Sequence, residues 1–279
     1  MKPTIGILGG CGPLATLDIE QKILKAMQRL LHPLIDQDYF NMLVLNHTQF
    51  CDRNDVIIFN KKALFDEYLQ AMKSLVSLGA DVLLLACQTA HHYLPELQKF
   101  ISVPIVDIVQ EMAKFMSKSF STDCKIGLLA TEATNEKKLY QTALAPYGIE
   151  VVSPSAEIQK KLMEAIYIIK TGVHLSDEYP ELPNLCHLRI DQSRYSEFKQ
   201  HPYRQVLVEK TFPNPHETIK QATAYLAGKG CRQVILGCTE LPLILPHIQN
   251  IEKIKVGLID PNSIVAESIV CLAAALEKK

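Results

Sequence analysis

Short apolar runs alternate along the whole chain with longer segments in which apolar residues recur with the period of an α-helix. Several of the runs are apolar without polar alternation, as in strands that are covered on both faces. Strands that alternate with helices form βαβ units around a parallel sheet. The predicted strands are Thr4–Leu8, Met42–Asn46, Val82–Ala86, Ile105–Asp107, Lys125–Ala130, Glu150–Ser153, Gln233–Leu236 and Val256–Ile259. Helices are predicted after Pro13, Asn60, Thr89, Asp107, Asn135, Glu157, Pro215 and Pro261.

These strands fall into two similar sets. The similar pairs are "IGILGGCGPLAT" with "IGLLATEATNEK", "DVLLLACQT" with "QVILGCTE", and "VPIVDIVQEMA" with "VGLIDPNSIVAE". Chance likeness among α/β strands is the alternative, but the shared order favours a repeat. We therefore predict an α/β fold of two pseudo-symmetric lobes, each a short parallel sheet flanked by helices, with the active site in the cleft between them. Residues 1–117 and about 258–279 are assigned to the first lobe, and residues 118–257 to the second.

One segment of the predicted second lobe breaks the pattern. Residues 173–216 are polar, aromatic and rich in Pro and His, and they show no clear period. A connection of this length is unusual inside a compact domain. The segment is interpreted as a lid, an oligomer contact or an insertion without a function. Its Tyr179, Tyr195 and Tyr203 are interpreted as groups that close over a substrate or that anchor an interface.

Charge and hydropathy narrow the function classes. The formal net charge is −1, and Lys and Arg form no basic stripe, which argues against nucleic-acid binding. Apolar stretches fall short of a membrane span, and the first residues predict a strand rather than a signal peptide. The eight cysteines include no C-x-x-C pair, so reduced thiols in a cytoplasmic protein are expected.

Cys87 and Cys238 each follow a predicted strand and precede a predicted helix. Ligands of open parallel sheets bind beyond the carboxyl ends of the strands. Amides at a helix amino end stabilise a thiolate, so we expect a lowered pKa at both cysteines. Two thiols that face each other across a cleft can remove a proton from one face of a carbon and return one to the other face, which inverts a stereocentre. Free cysteine is more often a small core residue, but Thr89 and Thr239 beside the pair favour chemistry.

Seven stretches match motifs of a known family. They are Gly6–Thr16, His47–Arg53, Cys87–His92, Gly127–Thr134, Ala165–Gly172, Gly237–Leu241 and Leu258–Glu267. In these motifs the chain resembles the cofactor-independent aspartate/glutamate racemases, over nearly its whole length apart from residues 173–216. The resemblance implies that Cys87 and Cys238 are the acid/base residues, that no cofactor or metal is used, and that the protein is a homodimer. It places Arg53 and Lys170 near the side-chain carboxylate of the substrate. Residues implied to line the cleft are Thr89, Thr131, Thr134 and Thr239.

The expected reaction is racemisation of a small acidic amino acid, aspartate before glutamate. Arg makes planar bidentate contacts with carboxylates, which suits the second carboxylate of such a substrate. Hydroxyl and backbone donors would neutralise the first carboxylate and stabilise the carbanion that develops beside it. Without the family resemblance, Arg53 is equally well interpreted as a solvated charge, and Lys170 as a cation at a helix carboxyl end.

The chain departs from the family pattern at four positions in the predicted pocket. Gln88 stands where Asn is usual, Cys11 where Met is common, Ala133 where Gly is usual and Cys51 where Pro is common. Cys11 and Gln88 are therefore included among the predicted substrate-binding residues, and the identity of the substrate is left open.

Other interpretations are possible. "GCGPLA" at residues 10–15 fits a dinucleotide-binding turn, but the next strand lacks the acid that would hold a ribose, and Pro13 removes an amide donor. His91 and His92 are candidates for proton relays, although structural roles are commoner at a helix start. A cysteine-dependent isomerase or decarboxylase of dicarboxylates is an alternative within the same fold. A non-catalytic small-molecule sensor is another, against which the paired cysteines argue.

Overall fold

Two parallel sheets organise the protein. The structure, a computed structural model, describes residues 2–58, 63–120, 124–172, 192–209, 214–247 and 254–277. The strands within these ranges are β1 (Thr4–Gly9), β2 (Asn41–Asn46), β3 (Val82–Leu85), β4 (Ile105–Val106), β5 (Lys125–Ala130), β6 (Glu150–Val152), β7 (Gln233–Gly237) and β8 (Gly257–Ile259). The sheet orders are β2-β1-β3-β4 and β6-β5-β7-β8, and neighbouring strands in both sheets pair in parallel. Because both halves repeat one order, the predicted α/β fold of two pseudo-symmetric lobes is confirmed.

Helices connect the strands and cover both faces of each sheet. They are α1 (Pro13–Leu31), α2 (Arg53–Ile58), α3 (Ala63–Ser77), α4 (Leu94–Leu97), α5 (Ile108–Ser119), α6 (Glu132–Glu136), α7 (Leu139–Leu144), α8 (Ala156–Lys170), α9 (Gln192–Gln200), α10 (Gln205–Glu209), α11 (Pro215–Gly228) and α12 (Pro261–Glu277). In the part of the chain that the structure describes, every helix is too short or too polar to cross a lipid bilayer.

Burial on both faces explains why the central strands are apolar throughout. All four residues of β3 are buried. Successive side chains of a strand point to opposite faces, so Leu84 packs in the core that contains α1 and α12, whereas Leu83 packs in the core that contains α3. Each such side chain, when fully buried, stabilises the fold by about 1.5–3 kcal/mol.

The lobes exchange a helix with each other. Helix α5 follows β4 of the first sheet, yet its Val109 and Met112 pack in the core of the second sheet. Helix α12 follows β8 of the second sheet, yet its Val265 and Ile269 pack against the first. This reciprocal exchange ties the lobes together. Because β8 pairs with β7, the segment that returns to the first lobe starts at Pro261 rather than at about residue 258.

Several boundaries near the cleft differ from the predicted ones. The chain is already helical at Arg53, before Asn60, and residues 59–62 lie outside the described residues. A 3₁₀-helix, Gln88–Tyr93, follows Cys87. Short helices of this kind carry too few turns to show a helical period in sequence.

Residues 192–209, within the segment without a clear period, form α9 and α10. Val206 and Leu207 are buried in a small separate cluster with Ile168 of α8. Tyr195 is exposed, and Tyr203 is partly buried. Tyr179 lies outside the described residues. A polar helix that packs through one short apolar edge has no strong period, which is why both helices were missed.

Candidate active site

The carboxyl ends of the central strands of both sheets meet between the lobes. Cys87 follows β3, and Thr131 and Cys238 follow β5 and β7. The Thr89 and Thr131 hydroxyls lie 2.9 Å apart across this boundary. The side-chain nitrogen Nε2 of Gln88 donates to the backbone carbonyl of Leu236 at 3.2 Å. Two equivalent strand ends therefore bring one cysteine each to the inter-lobe boundary.

The glycine-rich turn after β1 allows the second lobe to approach closely. Gly10 has a φ of 93°, and a Cβ there would lie 2.1 Å from the carbonyl oxygen of His47. A Cβ on Gly12 would lie 2.2 Å from a carboxylate oxygen of Glu240 and 3.3 Å from the Lys170 ammonium. The turn thus faces a carboxylate, which would repel the phosphates of a dinucleotide. This geometry argues against the dinucleotide interpretation.

Cys87 shares its surroundings with a second thiol, that of Cys11. Each of the two thiols shifts the pKa of the other, and the Cys11 sulfur lies 3.5 Å from the Tyr68 hydroxyl. The interaction with Cys87 and the Arg53 guanidinium outweigh burial and lower the pKa of Cys11 to about 6. The interaction with Cys11, together with burial, raises the pKa of Cys87 well above its ordinary value. Of the two thiols, Cys11 is therefore the one whose ionisation is favoured.

Cys238 also donates to an anion. Its thiol donates to Oε2 of Glu240 at 2.9 Å, and the Thr239 hydroxyl donates to the same oxygen at 3.2 Å. Burial raises the pKa of Cys238, and the Glu240 carboxylate raises it further. Burial opposes ionisation of Glu240 as well, but the Lys170 ammonium outweighs it and lowers the pKa of Glu240. Cys238 thus has an anionic hydrogen-bond partner in Glu240, and Cys87 has a neighbour, Cys11, whose pKa is lowered.

The expectation that helix amino ends would lower the pKa of Cys87 and Cys238 is wrong. Cys87 caps the 3₁₀-helix Gln88–Tyr93, and the 3₁₀-helix Leu241–His247 begins three residues after Cys238. Single short 3₁₀ segments have a weak dipole. Burial and the neighbouring negative charges of Cys11 and Glu240 prevail instead.

Electrostatic contacts join the two halves of the site. The Glu240 carboxylate contributes to the raised pKa of both Cys87 and Cys238. Arg53 and Lys170 converge, because both donate to the backbone carbonyl of Cys11, Lys170 at 2.8 Å. Lys170 is also ion-paired with Glu240. The two cations implied by the family resemblance therefore lie together beside the thiols.

Three of the four threonines implied to line the cleft form a network of buried hydroxyls, whereas Thr239 bonds to Glu240 instead. Oγ1 of Thr89 lies 2.9 Å from that of Thr131 and 3.1 Å from that of Thr134, and the last two lie 2.9 Å apart. The Thr131 oxygen also caps α6 by accepting from the Thr134 amide. The Gln88 side-chain oxygen accepts from the Tyr140 hydroxyl. Gln88 therefore joins the lobes through both ends of its amide.

His91 holds the backbone of Cys87. Its Nε2 accepts from the Ile108 amide at 3.1 Å, and its Nδ1 lies 2.9 Å from the Cys87 carbonyl oxygen. A backbone amide can only donate, so Nε2 is unprotonated and Nδ1–H donates to Cys87. Both ring nitrogens are engaged in structural bonds, which favours the structural role over a proton relay.

Sequence reasoning missed the acids and amides that support these groups. Glu240 follows Thr239 inside the motif Gly237–Leu241. An acidic residue directly before an apolar run is unusual, and this was the signal that could have identified it. Asn54 bridges the lobes by accepting from the Ala133 amide at 3.4 Å. Asp52 caps α2 by accepting from the Asn54 amide at 2.9 Å, and it also accepts from the Tyr167 hydroxyl at 3.0 Å. No local pattern marks these long-range contacts.

Asp52 should make the fold sensitive to acid. Burial opposes its ionisation, but Arg53 and Arg204 outweigh burial and lower its pKa to about 2. A depressed carboxyl pKa stabilises the folded state above pH 4, and this contribution is lost as the pH falls towards 2. Wild type is therefore expected to lose about 2 kcal/mol more than Asp52→Asn between pH 5 and pH 2. Urea denaturation across this range measures it, with the exposed Asp36→Asn as control; parallel curves for wild type and Asp52→Asn would refute the assignment.

Comparison with known proteins assigns the chain to a family. The family described as Asp/Glu/Hydantoin racemase matches residues 8–187. Over 268 residues the chain is 27% identical to the broad specificity amino-acid racemase RacX of Bacillus subtilis, with 95% of this chain and 96% of the relative covered.

Solved structures share the two-lobe fold. Picrophilus torridus aspartate racemase superposes with a TM-score of 0.68 at 22% identity. The superposition covers 98% of this chain and 94% of the aspartate racemase chain. Francisella tularensis glutamate racemase, solved in complex with D-glutamate, superposes with a TM-score of 0.58 at 17% identity, covering 99% and 82%. The match to residues 8–187 spans more than half of the chain, and we conclude that this protein belongs to the Asp/Glu/Hydantoin racemase family.

Proposed function

We propose that the protein racemises a small acidic amino acid, aspartate before glutamate, by proton transfer between Cys87 and Cys238. One observation carries the proposal. Two buried thiols follow equivalent strands of the two sheets, and each has a second acid beside it whose pKa is lowered, Cys11 in one case and Glu240 in the other. A pair of acid/base groups on opposite sides of a carbon is what inversion requires.

These neighbouring acids give each thiol a way to become a base. In one direction Cys87 passes its proton to the Cys11 thiolate and then, as a thiolate, removes the α-proton of the substrate. Cys238, still protonated, donates its proton to the opposite face of the carbanion. In the other direction Glu240 accepts the proton of Cys238, and Cys87 is the donor. Solvent exchange returns the partners to their resting protonation.

The cations and hydroxyls fit a substrate with two carboxylates. Arg53 and Lys170 converge beside the thiols. Because Glu240 pairs with Lys170, Arg53 is the stronger partner for a side-chain carboxylate. Hydroxyls of Thr89, Thr131 and Thr134 supply donors for the α-carboxylate, where charge develops during proton removal. The Bacillus subtilis relative is named for broad specificity, so neutral amino acids belong in the substrate screen.

Chiral chromatography tests the reaction directly. The purified protein is incubated with each enantiomer of aspartate, of glutamate and of the neutral amino acids. Conversion of aspartate in both directions to an equal mixture is expected, since the two enantiomers have the same free energy. Failure to convert either enantiomer of aspartate or glutamate would refute the proposed substrate class.

Cys11 should set the acidic limit of activity. Its pKa of about 6 predicts that kcat/KM rises as the pH increases through about 6. In Cys11→Met the interaction between the thiols is lost, and Cys87 must ionise with only Arg53 to stabilise its thiolate. The rising limb should therefore move to higher pH in Cys11→Met but stay in place in the exposed Cys271→Ser control. Identical pH profiles of kcat/KM for wild type and Cys11→Met would contradict this role.

A further inference from the structure

The segment that contains α9 and α10 contacts α2, which begins at Arg53, and the residue that precedes it. Its Arg204 forms a 2.5 Å ion pair with Asp52, and both side chains are largely buried. The Arg204 guanidinium also lies over the ring of Tyr167 in α8, 4.9 Å from the ring centroid. His201 of the same segment lies 3.2 Å from Asp55 of α2. The segment therefore contacts the first lobe immediately beside a predicted substrate ligand.

Both carboxylate oxygens of Asp52 are occupied. Oδ1 accepts from the Asn54 amide at 2.9 Å, while Oδ2 accepts from the Tyr167 hydroxyl at 3.0 Å and from Arg204 at 2.5 Å. The neighbouring Arg53 donates instead to the backbone carbonyls of Cys11 and Cys51. Carbonyl oxygens are neutral acceptors and hold a guanidinium less tightly than a carboxylate does.

Asp52 and Arg53 are adjacent, oppositely charged and partly buried, so they would otherwise attract each other. A guanidinium turned towards Asp52 would present fewer N–H groups to the carboxylate of a substrate and would have part of its charge neutralised. Arg204 satisfies Asp52 from the other side and leaves Arg53 with weaker partners that a substrate carboxylate can displace.

We propose that Arg204 is a positioning residue for acidic substrates: by engaging Asp52, it keeps Arg53 directed into the cleft and available for a substrate carboxylate. This inference rests on the proposed function, and it gives the α9–α10 segment a role in substrate recognition. Arg204 acts through Asp52 and Arg53 and does not itself contact the substrate.

The test is a rescue experiment with two substitutions. Arg204→Leu frees Oδ2 of Asp52, which should then capture Arg53. The KM for aspartate is expected to rise about tenfold, the size of one lost charge-assisted hydrogen bond, with a much smaller change in kcat. Adding Asp52→Asn removes the competing charge, so Asp52→Asn/Arg204→Leu should return to within about threefold of the KM of Asp52→Asn alone. Lys199→Leu, an exposed charge on α9, is the matched control and should leave KM unchanged.

A purely structural brace would give the opposite pattern, because the double variant would then be no better than Arg204→Leu. That result would overturn the proposal, as would equal KM values for Arg204→Leu and Lys199→Leu. Thermal unfolding checks that each variant folds. If Arg204→Leu does not fold, Tyr167→Phe removes the other donor to Oδ2 and should raise KM in the same direction, and an unchanged KM in that variant would overturn the proposal.

Calorimetric titration with succinate, a dicarboxylate without an amine, gives a readout that needs no turnover. Its Kd should rise in Arg204→Leu and recover in the double variant. A wild type that neither converts acidic amino acids nor binds succinate would refute the proposed function and this inference together. An active wild type without the rescue would refute this inference alone.

Discussion

Replacing either Cys87 or Cys238 with serine is expected to abolish racemisation of aspartate while leaving the fold intact. Serine keeps the size of the side chain and can still donate to Cys11 or Glu240, but its hydroxyl is a far weaker acid than a thiol. Loss of one general acid/base group costs about 10²–10⁴ in rate, and inversion requires both. Initial rates from each enantiomer measure the effect. Each variant should retain slow exchange of one enantiomer, because one base still faces one side of the carbon.

Cys231→Ser is the matched control for these variants, since Cys231 is also buried but lies before β7, at the other end of the strand from Cys238. Near-normal activity is expected in this control, with similar thermal unfolding for all three proteins. Retention of more than about a tenth of wild-type activity in Cys87→Ser or Cys238→Ser would exclude that cysteine as an acid/base group.

Replacing Glu240 with glutamine should weaken both stability and catalysis. Glutamine preserves the shape but leaves the Lys170 ammonium without its carboxylate. Breaking a fully buried ion pair from one side costs about 3–5 kcal/mol, and because Lys170 is 23% exposed the cost here is expected at about 3 kcal/mol or less. It also removes the acceptor for the Cys238 proton. Urea denaturation at pH 7 gives the stability, and rates from each enantiomer give the catalytic loss.

A second substitution separates these two effects. Lys170→Met combined with Glu240→Gln removes both charges, and replacing both members of a buried pair is often nearly neutral for stability. The double variant should therefore recover much of the lost stability but none of the lost activity. A double variant no more stable than Glu240→Gln, or one with restored activity, would contradict the roles assigned to the pair.

Because the pKa of Glu240 is lowered, its contribution to stability should depend on pH in a predictable direction. Its pKa lies below the ordinary carboxyl value, so its contribution to stability is present above that value and declines as the pH falls. Wild type and Glu240→Gln should therefore converge in stability towards low pH.

The strands and their pairing into two lobes could be predicted because apolar runs report burial directly. Lys125–Ala130 was predicted with the bounds that the structure gives. The assignment of the C-terminal helix to the first lobe followed from the sequence, but the placement of α5 on the second sheet did not, because its apolar face would fit either sheet equally well. Nothing local in Val109 says which of two similar sheets it covers.

Within the site, motifs identified residues but not their interactions. Cys87 and Cys238 stand out because each ends an apolar strand before a polar turn. Their raised pKa values depend on burial and on the neighbouring Cys11 and Glu240. Cys11 follows β1, a different strand from the one before Cys87, whereas Glu240 follows β7 as Cys238 does. The ion pair of Asp52 with Arg204 joins residues 152 positions apart. Such contacts leave no periodic trace in a single sequence, so they become visible only once the fold is known.

The most direct test of two-sided proton transfer is the racemisation of L-aspartate in deuterated water. Two cysteines that exchange their protons with solvent should place deuterium at Cα of every new D-aspartate molecule, while the remaining L-aspartate keeps its protium at early times. Mass analysis of the separated enantiomers reads this asymmetry. D-aspartate that retains protium, or deuterium that appears equally in both enantiomers from the start, would contradict the two-cysteine mechanism.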